Sequence, residues 1–340
     1  MRLVEVGQSG QQLLNSASCL VVGAGGLGAP ALLYLAAAGI GNLGICDGDV
    51  LEMSNLHRQP IYNVKDLGKS KALLASKKLL ELNPQIKVNA HTSHLSEKNV
   101  EKILSAYEMV IDCTDNFKTK FLINDAAYLF QKPLVRASIY QFEGQIQTYL
   151  PKRMDACLRC LWEETPREGC VGTCQEVGVI GPVPGYFGML QAMEAIKYFL
   201  GMETLKAHEI LFSNLIGYTQ QKITFNRDEN CPLCGIHPRI TTLKGEDNWE
   251  ITGEEAVRRE MVLIDIREKG EIYADPCGRE GSIDMPMSQF NSKKLFSTKH
   301  YALFCQRGKR SAELVRELRK FGMQNVHSVE GGIDSLRCLW

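Results

Sequence analysis

The chain has 340 residues, 44% of them hydrophobic and 23% charged, a composition that is typical of globular proteins and excludes disordered or fibrous ones. Its 39 basic and 39 acidic side chains cancel at neutral pH, so no global charge favours nucleic acid or an anionic membrane as a partner. The first residues, MRLVEVG, lack the features of a signal peptide, and no apolar run is long enough to span a membrane. We therefore expect a cytoplasmic protein without membrane partners.

The first two thirds of the chain alternate β-branched segments with segments of helical periodicity. Strands are predicted at residues 19–22, 43–46, 88–90, 109–111, 134–135 and 146–150. Helices are predicted at residues 29–38, 69–82, 117–130 and 186–200. This alternation predicts an α/β fold built on a Rossmann-like, doubly wound sheet.

A glycine-rich turn joins the first predicted strand to the first predicted helix. Its glycines follow the G-x-G-x-x-G spacing and are Gly23, Gly25, Gly26 and Gly28. Such a turn lets backbone N–H groups approach phosphate oxygens at the positive end of a helix. Asp47 ends the second strand about 20 residues later, where a carboxylate can hold ribose hydroxyls. These features alone predict a nucleotide site and leave open whether the nucleotide is a nicotinamide cofactor.

A polar segment after Asp47 extends this site. Asn55 and Arg58 lie in it, and Lys71 lies on the next predicted helix. Asp115 follows the fourth predicted strand, at the sheet edge where a carboxylate can hold Mg²⁺. Because cationic groups and a metal ligand suit a triphosphate, the combination predicts a site for ATP cleavage.

The motifs GAGGLG, DGDVLEMSNLHRQ, GKSKA, IDCTDN and GVIGPVPG closely resemble those of the ThiF, MoeB and HesA adenylyltransferases, which are related to the ubiquitin-activating enzymes. The resemblance covers about residues 7–234 and implies binding of ATP and Mg²⁺. It implies the following ATP-site residues: Gly26, Asp47, Ser54, Asn55, Leu56, His57, Arg58, Lys71, Asp115 and Asn116. Arg58, Lys71 and Asp115 are the predicted catalytic groups among them, with Asp115 as the Mg²⁺ ligand. The family's usual R-Y-x-R-Q segment has no counterpart in MRLVEVG.

Two CxxC pairs occur among the 12 cysteines of the chain. The four residues are Cys157, Cys160, Cys231 and Cys234. Each pair can present two thiolates to one tetrahedral Zn²⁺ ion, and a site closed by four sulfurs has a structural role. Two redox pairs or a disulfide framework are the alternatives.

A segment rich in turn residues lies between the two CxxC pairs and contains Cys174. We expect it to be a surface loop over the active site. Cys174 aligns with the position that is a covalent acyl carrier in some members of the family. It is therefore a candidate nucleophile.

The last part of the chain predicts a separate small α/β domain. Strands are predicted at residues 262–266, 303–305 and 326–329, and a helix from about residue 311. The predicted organisation is an ATP-dependent domain at residues 1–237, a polar linker at 238–247 and the second domain at 248–340.

Cys305 lies between a predicted strand and a predicted helix, in a loop of Cys305, Gln306, Arg307, Gly308, Lys309 and Arg310. Loop N–H groups, the helix dipole and the cations favour a thiolate there. A cysteine phosphatase is the rival interpretation, but its C-x₅-R motif is one residue longer than the spacing from Cys305 to Arg310. The loop, LIDIRE and VEGGIDSL resemble rhodanese sulfurtransferases, which implies that Cys305 carries a persulfide.

The two resemblances together imply one reaction sequence. The first domain would adenylate the C-terminal Gly-Gly carboxylate of a β-grasp, ubiquitin-like sulfur carrier, similar to MoaD or ThiS. Sulfur from Cys305 would then form a thiocarboxylate, either directly or through Cys174. A persulfide donor such as a cysteine desulfurase and a homodimer are also expected.

Two other classes of protein remain open at this stage. A zinc-containing NAD(P)-dependent oxidoreductase would explain the glycine loop, Asp47 and the zinc site. A non-catalytic scaffold could bind the β-grasp protein without activating it. Modification by a ubiquitin-like protein is a closer variant of the main hypothesis.

Overall fold

The computed structural model describes residues 3–153, 155–166, 178–206, 208–243, 249–277, 281–296 and 298–337. It divides into two compact units, Met1–Leu243 and Lys244–Trp340. The division falls within the segment that we predict to be a linker. Ile240 and Leu243 nevertheless pack against the core of the first unit, so the first half of that segment is folded.

The first unit contains an eight-stranded sheet in its described part, with the order β3-β2-β1-β4-β5-β6-β7-β8. The strands are β1 (Ser18–Val22), β2 (Asn42–Cys46), β3 (Lys87–His91), β4 (Met109–Asp112), β5 (Leu134–Tyr140), β6 (Glu143–Tyr149), β7 (Glu209–Asn214) and β8 (Thr219–Thr224). The first five are parallel, and β6 to β8 extend the sheet in antiparallel fashion. The six predicted strands are confirmed, whereas β7 and β8 were not predicted. β8 has a single apolar residue, Ile223, and is exposed throughout, so it lacks apolar alternation.

The helices in the described part of the first unit are α1 (Gly7–Ser16), α2 (Gly28–Ala38), α3 (Lys71–Leu82), α4 (Val100–Ser105), α5 (Phe117–Leu129) and α6 (Pro182–Phe199). The four predicted helices are confirmed, and α1 and α4 are additional. Helix α2 ends where Gly39 adopts a positive φ of 85°, as a glycine after a helix commonly does.

Alternate residues of the sheet belong to two separate cores, because successive strand side chains point to opposite faces. On one face, Val21, Ile111 and Val135 pack in a core that includes α2 and α6 residues. On the other face, Leu20, Val110 and Tyr149 share a core with α4, α5 and the CxxC cysteines. The sheet is therefore doubly wound as predicted. β1 pairs with β2 on one side and with β4 on the other, and a sheet of this strand order has its ligand crevice at the carboxyl edge beside β1, where the strand order reverses.

The second unit has a five-stranded parallel sheet of order β11-β10-β12-β13-β9 in its described part. Its strands are β9 (Glu250–Ile251), β10 (Val262–Asp265), β11 (Ile283–Asp284), β12 (Tyr301–Phe304) and β13 (Val326–Val329). Its helices are α7 (Gly253–Arg258), α8 (Lys269–Ala274), α9 (Lys309–Lys320) and α10 (Ile333–Arg337). The three predicted strands and the predicted helix are confirmed, although α9 begins two residues earlier than expected. Across the described residues, no helix is long and apolar enough to cross a membrane.

Candidate nucleotide, metal and sulfur sites

The glycine loop is held tightly against its neighbours at the crevice. Gly23 has a φ of 92°, and a Cβ atom there would lie 2.8 Å from the carbonyl oxygen of Cys113. A Cβ on Gly28 would lie 1.8 Å from the carbonyl oxygen of Gly23. Because these positions have no room for a side chain, the loop brings bare backbone to the start of α2.

Asp47 holds the glycine loop in place by accepting backbone hydrogen bonds. Its carboxylate accepts hydrogen bonds from the N–H of Ala24 at 2.7 Å and of Asp49 at 2.8 Å. Burial raises the pKa of Asp47 above its ordinary value, and the two N–H donors and Lys71 oppose that rise. The predicted ribose ligand therefore also shapes the loop.

Lys71 lies beside this corner at the start of α3. Its buried Nζ lies 2.9 Å from a carboxylate oxygen of Asp49, which is half exposed. The hydroxyl oxygen of Tyr62 lies within hydrogen-bond distance of two carbonyl oxygens, that of Ala24 at 2.9 Å and that of Lys71 at 3.2 Å. These contacts bring Lys71 and the glycine loop together although they are remote in sequence.

The SNLHRQ segment, residues 54–59, approaches the loop from another side. Arg58 Nη1 donates to the carbonyl oxygen of Ser54 at 2.9 Å, and a Cβ on Gly26 would lie 3.6 Å from Arg58 Cδ. Asn55 is buried, Ser54 and His57 are exposed, and Leu56 and Arg58 are half-buried. The segment therefore places Arg58 next to the glycine loop.

The end of β4 closes the crevice. Asp115 is exposed, and no described residue pairs with its carboxylate, so it can bind a metal ion. Asn116 is also exposed, but its side-chain oxygen caps α5 by accepting from the N–H of Thr119 at 2.8 Å. The buried Asp112 pairs with Lys120 at 3.3 Å and is therefore a structural carboxylate.

Several residues of this corner were not predicted from the sequence. They are Asp49, Tyr62, Lys120 and Gln191. Asp49 lies inside the DGDVLEMSNLHRQ motif, which is a signal that could have identified it, and Gln59 of the same motif was expected among the polar groups that suit a triphosphate. Gln59 is buried, and its Oε1 has no hydrogen-bond partner among the described residues.

The four CxxC cysteines form one cluster. The Sγ atom of Cys157 lies 3.9 Å from that of Cys160 and 3.6 Å from that of Cys231, and the Sγ atoms of Cys160 and Cys234 are 3.4 Å apart. All four Sγ atoms lie within 4.8 Å of one another. Zn–S bonds of about 2.3 Å in a tetrahedron require sulfurs about 3.8 Å apart. The cluster therefore fits a tetrahedral divalent ion, and the prediction that the two pairs act together agrees with this geometry.

Cys174 lies outside the described residues. The structure therefore places neither this predicted nucleophile nor the loop around it.

The Cys305 loop links β12 to α9. Gly308 has a φ of 83° and precedes the helix, and Ile333 N–H donates to the carbonyl oxygen of Cys305 at 2.9 Å. A Cβ on Gly332 would lie 2.3 Å from that same carbonyl oxygen. The VEGGID segment, residues 329–334, therefore packs directly against the Cys305 loop, and position 332 has no room for a side chain.

The Cys305 thiol is buried but surrounded by donors. The Ser311 hydroxyl lies 3.8 Å from Sγ. Burial raises the pKa of Cys305, but the N–H groups of Ser311, Arg307 and Arg310 and the Ser311 hydroxyl outweigh it, so the pKa lies below its ordinary value. A lowered pKa favours the thiolate that nucleophilic sulfur chemistry requires.

The predicted loop cation Arg310 is held by an unpredicted partner. Its two Nη atoms lie 2.7 Å and 2.6 Å from the carboxylate oxygens of Glu271 on α8. The hydrogen bonds from Arg310 lower the pKa of Glu271 to about 2, and Glu271 raises the pKa of Arg310. This bidentate pair orients Arg310 at the edge of the loop. Lys309 and Arg310 begin α9, so both belong to its first turn.

Comparison with known families matches both units. Residues 1–233 match the ThiF family, and residues 250–337 match the rhodanese-like domain. Sulfur carrier protein adenylyltransferase of Thermus thermophilus is 45% identical over 70% of this chain and 89% of its own. Probable adenylyltransferase/sulfurtransferase MoeZ of Mycobacterium tuberculosis is 36% identical over 97% of this chain and 89% of its own.

Solved structures agree on the fold. The crystal structure of E. coli MccB with ATP is 20% identical and covers 66% of this chain and 68% of its own, with a TM-score of 0.59. At this identity the likeness concerns the fold alone. Because residues 1–233 match the ThiF family and residues 250–337 match the rhodanese-like domain, the chain belongs to the ThiF family and carries a C-terminal rhodanese-like domain.

Proposed function

We propose that the chain uses ATP to adenylate the C-terminal Gly-Gly carboxylate of a β-grasp sulfur-carrier protein and then replaces AMP with sulfur carried by Cys305. The observation that carries the proposal is the presence of two distinct sites in one chain. The first unit combines a tight glycine loop with Lys71 and Arg58, and the second holds a thiol with a lowered pKa.

The relatives support both halves of this proposal. Their names describe an adenylyltransferase of a sulfur-carrier protein in one case and an adenylyltransferase/sulfurtransferase in the other. These names do not favour the NAD(P)-dependent oxidoreductase. They also favour a catalytic protein over a scaffold that only binds the carrier.

The first step transfers an adenylyl group. A carboxylate oxygen of the carrier attacks the α-phosphorus of ATP, the bond to the β-phosphate breaks, and pyrophosphate leaves. Negative charge spreads over the phosphoryl oxygens, so positioned cations and N–H groups stabilise the transition state. Arg58, Lys71 and the N–H groups of the glycine loop supply them. Lys71 must exchange part of its contact with Asp49 for a phosphate oxygen.

The other ATP-site assignments rest on the resemblance of these motifs to the ThiF family. Asp47 holds the ribose, and Asp115 holds Mg²⁺, which neutralises charge on the phosphates when it is bound. The remaining contacts come from the glycine loop, the SNLHRQ segment and the end of β4. They are Gly23, Gly25, Gly26, Gly28, Ser54, Asn55, Leu56, His57 and Asn116.

The second step transfers sulfur. The terminal sulfur of the Cys305 persulfide attacks the acyl carbon of the adenylate, and AMP leaves. This gives an acyl disulfide on Cys305. A second thiol then attacks the Cys305 sulfur, forms a disulfide with it and releases the carrier thiocarboxylate. That thiol is either Cys174 or an external low-molecular-weight thiol. The N–H groups of residues 306–310 cradle the persulfide.

A structural metal site, a sulfur donor and an oligomeric state are also proposed. The CxxC cluster holds Zn²⁺, which ties residues 157–160 to residues 231–234 and has a structural role. A persulfide donor such as a cysteine desulfurase loads Cys305. The enzyme works as a homodimer in the cytoplasm and acts without a membrane or nucleic-acid partner.

The test is the intact mass of Gly-Gly-ending carrier proteins incubated with the full chain, Mg-ATP and a persulfide donor. Replacement of one carboxylate oxygen by sulfur adds a fixed mass, and we expect this gain only when ATP is present. Cys305→Ser should abolish the gain while ATP–pyrophosphate exchange continues, because adenylation resides in the first unit. Cys277→Ser is the matched control, since this buried cysteine lies outside the Cys305 loop.

Each outcome has a distinct meaning. An AMP adduct without sulfur would confine the activity to adenylation and contradict the role of Cys305. Nicotinamide binding without pyrophosphate release would support the oxidoreductase alternative. Carrier binding without ATP turnover would support the scaffold.

A further inference from the structure

A buried arginine lies in the layer between the sheet and the cysteine cluster. Arg136 is on β5, its side chain is on the face that carries the CxxC core, and the residue is 9% exposed. The register pairs it with Asp112 on β4 and with Gln147 on β6. A buried guanidinium loses its hydration and needs compensation from its surroundings.

The hydrogen bonds of Arg136 do not supply a counter-charge. Nη1 donates to the side-chain oxygen of Asn124 at 3.1 Å, and Nη2 donates to that of Gln147. Both acceptors are neutral amides. Among the residues that the structure describes, no carboxylate oxygen lies within 4 Å of the Arg136 guanidinium.

The buried carboxylates of this layer already have cationic partners. Asp112 pairs with Lys120 at 3.3 Å, and Asp125 pairs with Arg159 at 2.7 Å. Burial lowers the pKa of Arg136 to about 10, so the side chain is charged at neutral pH. Arg136 therefore has no carboxylate partner of its own among the described side chains of this layer, although the charge of the nearby Asp112, which is paired with Lys120, also favours its charged form.

The same two amides connect Arg136 to both flanks of Cys157. The Asn124 oxygen that binds Arg136 also accepts the N–H of Leu158 at 2.8 Å. The amide nitrogen of Gln147 donates to the carbonyl oxygen of Ala156 at 3.4 Å. The forked guanidinium thus supports the peptide on each side of one cysteine of the metal cluster.

We propose that Arg136 is the buried counter-charge of the metal-loaded four-thiolate site and stabilises that state over the metal-free one. Four thiolates and one divalent cation have a net charge of −2, which a nearby cation offsets in a low-dielectric layer. Without the metal, the described carboxylates of this layer are already paired with Lys120 and Arg159 and leave none to pair with Arg136. This inference rests on the metal site proposed above.

The test measures zinc affinity of the full-length chain with a series of zinc buffers at pH 7.5. Arg136→Gln should weaken zinc binding by about 10- to 100-fold, the usual effect of removing a partner of metal ligands. Arg136→Lys keeps the charge and should stay within about threefold of the wild type. Lys132→Gln is the matched control, because Lys132 also donates to a neutral acceptor, the carbonyl oxygen of Tyr107.

Thermal unfolding with and without zinc separates a counter-charge from a purely structural role. The Arg136→Gln variant should unfold at a lower temperature than the wild type when zinc is bound, and at the same or a higher temperature when zinc is absent. Equal destabilisation in both states, equal losses in the lysine and glutamine variants, or unchanged zinc affinity would each overturn the inference. A wild-type chain that binds no divalent metal would overturn the metal site and this inference together, without affecting the test of thiocarboxylate formation.

Discussion

Replacement of Arg267 by methionine should destabilise the second unit and leave the first intact. Arg267 is fully buried beside the fully buried Asp265. Its Nε lies 3.0 Å and 3.1 Å from the two carboxylate oxygens, and its Nη2 lies 2.7 Å from one of them. Its Nη1 reaches the side chain of Gln306 in the Cys305 loop at 3.2 Å.

The loss of unfolding free energy in Arg267→Met follows from the groups that remain around Asp265. Without the guanidinium, the Asp265 carboxylate keeps one hydrogen bond, from the backbone N–H of residue 267 at 3.0 Å. Removing one partner of a buried ion pair costs about 3–5 kcal/mol because the other charge remains buried. Domains have free energies of unfolding of about 5–15 kcal/mol, so the loss is a large fraction of the total.

Hydrogen exchange of the full-length chain, followed by mass spectrometry, measures this loss within each unit. Because each 1.4 kcal/mol corresponds to a tenfold change, amides of β10, β12 and β13 should exchange roughly 140- to 3700-fold faster in Arg267→Met. Amides of β1 and β4 should be unchanged. Pyrophosphate exchange should also be unchanged, while sulfur transfer falls with the folded fraction of the second unit.

A second variant isolates the buried charge as the cause. In the double variant Asp265→Asn, Arg267→Met the remaining polar group is neutral, so the exchange should slow by at least about tenfold relative to Arg267→Met. Exchange in Arg267→Met within about threefold of the wild type, or a double variant that exchanges no more slowly than the single one, would show that a buried unpaired charge is not the cause of destabilisation.

Three further predictions concern the other sites. Gly28→Ala should reduce adenylation by at least about 100-fold, because the added Cβ would lie 1.8 Å from a carbonyl oxygen. Gly217→Ala should not reduce it, because the nearest atom to its added Cβ, Thr219 Cγ2, is 3.7 Å away. In the wild type, the rate of Cys305 alkylation by iodoacetamide should increase with pH and reach half its maximum at a lower pH than for an ordinary thiol, because the pKa of Cys305 is lowered. Ser311→Ala removes a donor to the Cys305 thiolate, so the pH of half-maximal alkylation should rise. Cys231→Ser should lower the bound zinc measured by elemental analysis and the unfolding temperature of the first unit.

Each of these has a result that contradicts it. Equal adenylation by the two glycine variants would mean that the loop relaxes around the added methyl group. An unchanged alkylation profile would mean that the Ser311 hydroxyl does not contribute to the lowered pKa of Cys305. Full zinc content in Cys231→Ser would place the metal elsewhere.

Local patterns were sufficient to predict much of the fold and of the site. The glycine spacing predicted the turn before α2, and the structure has α2 beginning at Gly28. β-branched segments predicted the core strands, whose side chains are nearly all buried. Such features depend on neighbouring residues, so they can be recognised without knowledge of the rest of the molecule.

Other elements carried no such local signal. Strand β8 has no apolar alternation, and it is a strand because β7 offers it an unpaired edge. Short strands such as β9 and β11 have two residues each and depend on neighbouring strands for their hydrogen bonds. Helix α4 has six residues and is too short for a clear helical period.

The identity of the candidate groups could be read from the chain, because G-x-G-x-x-G, CxxC and the Cys305 loop are defined by spacing along it. Which groups meet was decided by tertiary packing. Lys71 pairs with Asp49, Arg310 with Glu271, and Cys157 approaches Cys231 across 74 residues. Tertiary packing also decided that the hydrogen-bond partners of Arg136 are the neutral side chains of Asn124 and Gln147. Interactions between charges and between metal ligands depend on distances of a few ångströms, and only the packing of elements remote in sequence sets those distances.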